Sequence, residues 1–150
     1  MSGNIAIGIQ DFSTIIQGNY FYIDKTPFIK EWWDCGDSAT LITRPRRFGK
    51  TLTMSMVEQF FSIDYAGRSD LFEHLAIWKE EKYRELQGTY PVISLSFARI
   101  KERDYEKTKQ KMCEVLRNIY IKFCYIKDSE KLTDADRAYY ERMLEENRSE

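Results

Sequence analysis

The pattern of apolar and polar positions predicts short helices in the first part of the chain. After Asp11, a residue type that caps helices, Phe12 and Ile15 follow at helical spacing and predict a first helix. Proline suits the first position of a helix, so a second helix is predicted from Pro27 to about Asp34. It stops at Gly36, because glycine commonly ends helices.

Longer helical patterns follow in the middle and in the last third of the chain. Residues 105–125 repeat apolar side chains at i, i+3 and i+4, and a threonine caps a last helix over 133–144. Weaker helical patterns cover 71–75 and 79–86. The segment 50–63 predicts a helix with one apolar face, made of Leu52, Met56, Val57, Phe60 and Phe61.

Two β-branched stretches predict strands between these helices. Ser38–Thr43 is too short for two helical turns before Pro45, and Tyr90–Phe97 follows a glycine. The resulting order is helices, strand, helices, strand, helices. This order predicts an α/β layer fold with a parallel sheet.

Composition and charge narrow the chemistry. The 150 residues carry 23 basic and 24 acidic side chains, so no global field recruits nucleic acid and any anion must bind locally. No apolar run approaches the roughly 20 residues that cross a bilayer, and no signal peptide is evident, so we expect a cytoplasmic protein without a membrane partner. One histidine and three cysteines without a CxxC pair argue against His-based metal sites, zinc sites and Ser-His-Asp catalysis.

Gly49-Lys50-Thr51 lies between the predicted strand and helix, where a phosphate-binding loop belongs. Amides at a helix N-terminus and the helix dipole attract an anion. Lys50 would reach the β- and γ-phosphates as the catalytic residue, and the Thr51 hydroxyl would bind magnesium. The predicted nucleotide-binding residues are Arg46, Arg47, Phe48, Gly49, Lys50, Thr51 and Leu52.

One position departs from the full phosphate-loop pattern, and an alternative function follows from the charge of the loop. Arg44 stands where the pattern has glycine, and Pro45 restricts the backbone beside it. The basic loop 44–50 also suits a module that grips nucleic-acid backbone phosphates, or one that binds another protein. Magnesium dependence separates nucleotide binding from backbone binding, which instead falls with salt.

The loop Arg44–Thr51, together with several further stretches of the chain, resembles a bacterial and archaeal AAA-ATPase-like family. Members of that family are often paired with a PD-(D/E)XK nuclease-like domain. In that family an arginine at position 44 is typical. The resemblance implies ATP and Mg²⁺ as cofactors and a P-loop NTPase-like three-layer α/β sandwich, here with an incomplete parallel sheet and helices on both faces. The matching stretches are Gly8–Phe12, Tyr22–Thr26, Arg44–Leu52, Phe60-Phe61 and Tyr90–Phe97.

The resemblance also implies how the chain is organised. We expect the N-terminal part of one ATPase domain: a helical lead-in (1–37), the P-loop strand and helix (38–63), a helical connector (64–89), and a second strand with long helices (90–150). No acid follows the second predicted strand, and in the family the acidic strand lies further on. We therefore expect ATPase activity in a longer protein and none in this chain alone. Nucleic acid would be a partner only through a further C-terminal domain, and an unpaired first strand favours self-association.

Asp24 and Lys25 allow two explanations. Turn chemistry, with Thr26 capping the following helix, accounts for both residues. A contact with the nucleotide is the alternative.

Overall fold

The helices of the computed structural model begin and end close to the positions that apolar periodicity predicts. The structure describes residues 4–5, 7–45, 48–98 and 100–145. The α-helices are α1 (Phe12–Gln17), α2 (Pro27–Cys35), α3 (Lys50–Phe61), α4 (Glu81–Arg84), α5 (Tyr105–Lys122) and α6 (Asp134–Glu145). Short 3₁₀-helices cover Ile63–Tyr65, Ser69–Leu71, Ala76–Lys79 and Cys124–Asp128.

The helix caps are partly those expected. The Asp11 carboxylate accepts a hydrogen bond from the Thr14 amide at the start of α1, as predicted. Gly36 ends α2 in the left-handed conformation with φ of +66°, which glycine adopts without strain. Thr26 occupies the N-cap position of α2 and Pro27 follows it, as predicted, but the Thr26 hydroxyl makes no capping bond to that helix.

The chain forms two compact units, residues 1–92 and residues 93–150. The first unit contains an aromatic core in which Phe72 stacks on Phe12 at 5.1 Å between ring centroids and meets Phe60 edge to face, also at 5.1 Å. Offset and edge-on arrangements are the favoured geometries of aromatic pairs. The buried cluster consists of Phe12, Ile29, Met56, Phe60, Phe61, Leu71, Phe72, Ile77 and Tyr83.

The second unit is built on α5 and α6. Rings of Tyr120 and Tyr140 meet edge to face at 5.0 Å, and the Tyr140 hydroxyl donates to the Tyr120 carbonyl. Thr133 and Asp136 exchange hydrogen bonds at the start of α6, which confirms the predicted cap. No residue of α5 is buried, although its sequence has a clear apolar face.

The predicted α/β sandwich with a parallel sheet is wrong for the described residues. They contain no sheet, and Ser38–Thr43 is irregular and largely exposed rather than a buried strand. A strand requires a neighbour for its amide and carbonyl groups, and no described segment pairs with this one.

The second predicted strand makes one isolated parallel bridge, between Tyr90 and Ser62. The Tyr90 amide donates to the Phe61 carbonyl and its own carbonyl accepts from the Ile63 amide. Pairing goes no further because Ile63 enters a 3₁₀-helix directly after the bridge. Tyr90 is thus tied to the end of α3, and not to residues 38–43.

No helix in the described part of the chain combines the length and apolar character needed to cross a membrane.

Two methionines on α3 test the packing of the core. Met56 is fully buried, whereas Met54, on the same helix, is 60% exposed. We expect Met56→Ala to lower the free energy of unfolding by about 2–5 kcal/mol, because it leaves a cavity. Met54→Ala, the matched control, should change it by less than about 0.5 kcal/mol. Urea unfolding measures both, and equal losses would contradict the described orientation of α3.

A hydrogen-bond network joins α1 to α3 beside this core. Gln59 Nε2 donates to Asp11 Oδ1 at 2.6 Å, and the Phe12 amide donates to Ser55 Oγ at 3.1 Å. Burial alone would raise the pKa of Asp11, but hydrogen bonds from Ser13, Thr14 and Gln59 outweigh it and lower that pKa. The ionised carboxylate therefore stabilises the fold.

This shift predicts a pH dependence of stability. Because the pKa of Asp11 is lower in the folded than in the unfolded chain (about 3.9), its contribution is present at neutral pH. It is lost as pH falls below about 4 and through the folded pKa. Asp11→Asn keeps a capping side chain but removes the charge. In urea unfolding between pH 7 and pH 3, the stability difference between wild type and variant should narrow in acid; a constant difference would argue against the network.

Candidate functional site

The turn at Gly49 leads directly into the first turn of α3. Gly49 has φ of +71°, a left-handed conformation, and α3 begins at the next residue. The Gly49 carbonyl accepts from both the amide and the hydroxyl of Thr53, at 2.9 and 3.0 Å. Among the described residues, no backbone carbonyl accepts from the amides of Lys50, Thr51 or Leu52. Free amides at a helix N-terminus are suited to binding an anion.

The predicted site residues have different environments around this turn. Lys50 is exposed and its Nζ donates to the Arg44 carbonyl. Thr51 is exposed, Phe48 is 59% exposed, and Leu52 is half-buried against the aromatic core. Arg46 and Arg47, both predicted to bind nucleotide, lie outside the described residues.

Asp24 has a structural role. Its Oδ1 accepts from the amide and the hydroxyl of Thr26 at 2.8 and 2.6 Å, and its Oδ2 accepts from the Ala76 amide at 2.7 Å. The fully buried Thr26 hydroxyl in turn accepts from the Ile77 amide at 3.2 Å. Asp24 and Thr26 thus satisfy the free amides of the 3₁₀-helix Ala76–Lys79 and tie it to the start of α2.

Lys25, the residue between them, extends to the turn. Its Nζ donates to the Phe48 carbonyl at 3.3 Å, and a Cβ on residue 49 would lie 2.7 Å from that nitrogen. Glycine at position 49 adopts its positive φ without strain, and a Cβ there would displace the end of the flexible Lys25 side chain. The structure brings Lys25 and the Gly-Lys-Thr sequence together across more than twenty residues of chain.

Two grooves flank the turn. A groove of about 220 Å³ lies towards α2 and includes Phe28, Ile42 and Arg44 in its lining. A larger groove of about 880 Å³ runs from the first turn of α3 to the N-terminal segment. Its walls combine amide-bearing residues of the turn with apolar side chains, namely Ile5, Ile7, Ile9, Ile15, Phe21, Tyr22 and Ile23. Lys25 and Lys50 line both grooves.

The positive charge of the turn has no partner carboxylate in the part of the chain that the structure describes. None of the ion pairs among the described residues involves Lys25, Arg44 or Lys50. Asp24, the acid next to Lys25 in sequence, uses both carboxylate oxygens in hydrogen bonds to uncharged groups. An anion at this turn would therefore meet a helix N-terminus and three cations.

Comparison with known proteins assigns the chain to a family. A family model described as "Predicted AAA-ATPase" matches residues 6–149, nearly the whole chain. The chain belongs to this AAA-ATPase-like family. The resemblance inferred from the Arg44–Leu52 stretch is therefore confirmed.

A relative described as "Uncharacterized protein in vnfD 5'region", from Azotobacter chroococcum mcd 1, is 33% identical over 113 residues. The match covers 75% of this chain and 20% of that protein, so the chain spans about a fifth of the relative's length. No solved structure matches the chain.

The AAA-ATPase-like chain places one more residue at the turn than the phosphate-loop pattern contains. Lys25 was predicted only as half of a pair with Asp24, and the structure separates the two roles. Asp24 holds backbone amides, whereas Lys25 lies at Gly49. The sequence signal for this role of Lys25 was its position between Asp24 and Thr26, two residues whose side chains bond to backbone amides.

Gly49 and Gly36 allow a matched test of the turn. Both have positive φ, but a Cβ at Gly36 would meet nothing within 4 Å. We expect Gly49→Ala and Gly36→Ala each to lower stability by about 1–2 kcal/mol, the cost of a left-handed alanine. The loss should be similar because the flexible Lys25 side chain can move from a new Cβ. Thermal unfolding checks both, and a negligible loss for Gly49→Ala would contradict the described turn.

Proposed function

We propose that this chain binds ATP, with the phosphates at the N-terminus of α3 and the base in the larger groove. One observation carries the proposal: a single groove joins the free amides and cations of the turn to an apolar wall. A nucleotide has the same two halves, a polyanionic chain and a flat, largely apolar base. Membership of the AAA-ATPase-like family supports nucleotide as the ligand.

The phosphate end of the proposed site uses a variant Walker A loop, Arg44 to Thr51. Amides of Lys50, Thr51 and Leu52 would donate to phosphate oxygens, assisted by the dipole of the 12-residue helix α3. Lys50 Nζ would exchange its bond to the Arg44 carbonyl for a charge-assisted bond to the β- and γ-phosphates.

Magnesium would bind through the Thr51 hydroxyl together with phosphate oxygens and water. Magnesium commonly takes one or two protein ligands and completes its octahedron with substrate phosphates and water. Thr51 suits this role because it is exposed and its hydroxyl makes no hydrogen bond within the part of the chain that the structure describes. Within that part of the chain, no cluster of histidine, cysteine and acidic side chains could hold a metal by itself.

The base would lie against the N-terminal segment. Ile7 is 91% exposed and Phe21 is 60% exposed, and both line the larger groove. Covering such side chains with an aromatic base removes apolar surface from water, which favours binding by about 25 cal/mol per Å² of surface covered. The proposed activity of this chain is nucleotide binding.

Lys50→Ala tests the phosphate end. We expect it to weaken Mg²⁺-ATP binding by about 1.5–3 kcal/mol, because a charge-assisted hydrogen bond is lost. Isothermal titration calorimetry measures the change. Lys79→Ala, at an exposed lysine of the 3₁₀-helix Ala76–Lys79, is the control and should bind as wild type does.

Two results would contradict the proposal. One is unchanged ATP affinity in Lys50→Ala. The other is binding of single-stranded nucleic acid that needs no magnesium and falls steeply with salt, while ATP does not bind; this result would favour a backbone-phosphate module.

A further inference from the structure

We propose that Lys25 is a phosphate-binding residue of this site, a second cation supplied from outside the Gly-Lys-Thr loop. The inference rests on the proposed function, because it assigns the ligand of Lys25 as the phosphate chain of the same nucleotide. Lys25 belongs to the segment between α1 and α2, whereas Lys50 opens α3. The two ammonium groups thus approach the turn from different parts of the chain.

The geometry places the Lys25 ammonium where phosphate oxygens would pass. Its Nζ lies 3.3 Å from the Phe48 carbonyl oxygen and 2.7 Å from the position of a Cβ on Gly49. Gly49 immediately precedes the amides of Lys50 and Thr51. An anion bound by those amides is therefore within reach of Lys25, which has a flexible four-carbon stem.

The backbone of Lys25 is held on both sides. Asp24 and Thr26 are bonded to each other and to the amides of Ala76 and Ile77. The Lys25 amide itself donates to the Tyr22 hydroxyl at 3.3 Å. Burial raises the pKa of Tyr22 to about 12, so this hydroxyl stays protonated and donates to Met56 Sδ. These hydrogen bonds therefore hold the backbone of Lys25 in place beside the core.

The Phe48 carbonyl is a weaker hydrogen-bond acceptor for the Lys25 ammonium than a phosphate oxygen would be. A neutral carbonyl at 3.3 Å forms a longer bond than the usual 2.7–2.9 Å of an ammonium with an anionic oxygen. No carboxylate among the described residues forms an ion pair with it. Exchange of the Phe48 carbonyl for a phosphate oxygen would strengthen the bond and leave that exposed carbonyl to water.

This role predicts an effect that depends on the number of phosphates. A contact with the phosphate chain contributes more to ATP than to AMP, whereas a purely structural role at Phe48 would affect both nucleotides equally. We expect Lys25→Met to weaken Mg²⁺-ATP binding about tenfold or more and AMP binding by less than about threefold. Lys25→Arg keeps the charge and should recover most of the lost ATP affinity.

The experiment measures ATP and AMP affinities by calorimetry for wild type, Lys25→Met, Lys25→Arg and two reference variants. Lys79→Met makes the same change of charge on the exposed surface of the same unit and should bind both nucleotides as wild type does. Lys50→Ala reports on the proposed function independently of Lys25. Thermal unfolding checks that each variant is folded, and Lys25→Arg provides the test if Lys25→Met does not fold.

The outcomes separate the two proposals. Loss of affinity in Lys50→Ala with wild-type affinity in Lys25→Met would overturn the role of Lys25 and leave the proposed function standing. Equal losses of ATP and AMP in Lys25→Met would make Lys25 a structural residue only. Absence of ATP binding by the wild-type chain would overturn the proposed function, and the role of Lys25 with it. If Lys25→Met does not fold, an Lys25→Arg variant that is folded but has lost ATP binding would also contradict the inference, because its cation is retained.

Discussion

Burial of one face of α3 is the constraint on which the rest of the first unit depends. Met56, Phe60 and Phe61 of this helix are inside the aromatic core, and Phe72 packs on Phe60. Once the C-terminal half of the helix is buried in this way, its N-terminal end must lie at the edge of the core. Among the described residues, no backbone carbonyl accepts from the first amides of the helix there. The packing that stabilises the unit therefore also places the N-terminal end of α3, the proposed anion site, at the edge of the core.

A second constraint acts through three successive residues, Asp24, Lys25 and Thr26. The outer two are bonded to backbone amides at the start of the 3₁₀-helix Ala76–Lys79, and Thr26 is fully buried. Lys25 is consequently directed away from that contact and towards Gly49. The structural contacts of Asp24 and Thr26 thus flank the residue that we propose binds phosphate. Loss of Asp24 would disturb the site indirectly, by releasing the backbone that carries Lys25.

The wrong predictions share one physical cause. Helices satisfy their own backbone hydrogen bonds, so local periodicity and caps predicted α1, α2, α3 and α6 well. A strand depends on a partner that may lie anywhere in the chain, and β-branched composition cannot supply it. Residues 38–43 have strand composition but no partner among the described residues, and Tyr90 pairs with Ser62 instead. Thr26 lies at the N-cap position of α2 as predicted, but local sequence could not show that its hydroxyl accepts from an amide about fifty residues away instead of from that helix.

By itself, the sequence determined the positions of the helices, the start of α3 after Gly49, and the family, through the Arg44–Leu52 stretch. These features depend on neighbouring residues, whose spacing can be read directly. Only the tertiary structure decided that Asp24 is a structural residue, that Lys25 lies at Gly49, and that an apolar wall continues from the turn. Each of these depends on contacts between segments distant in sequence, and such contacts follow from the packing of the whole core rather than from local propensity.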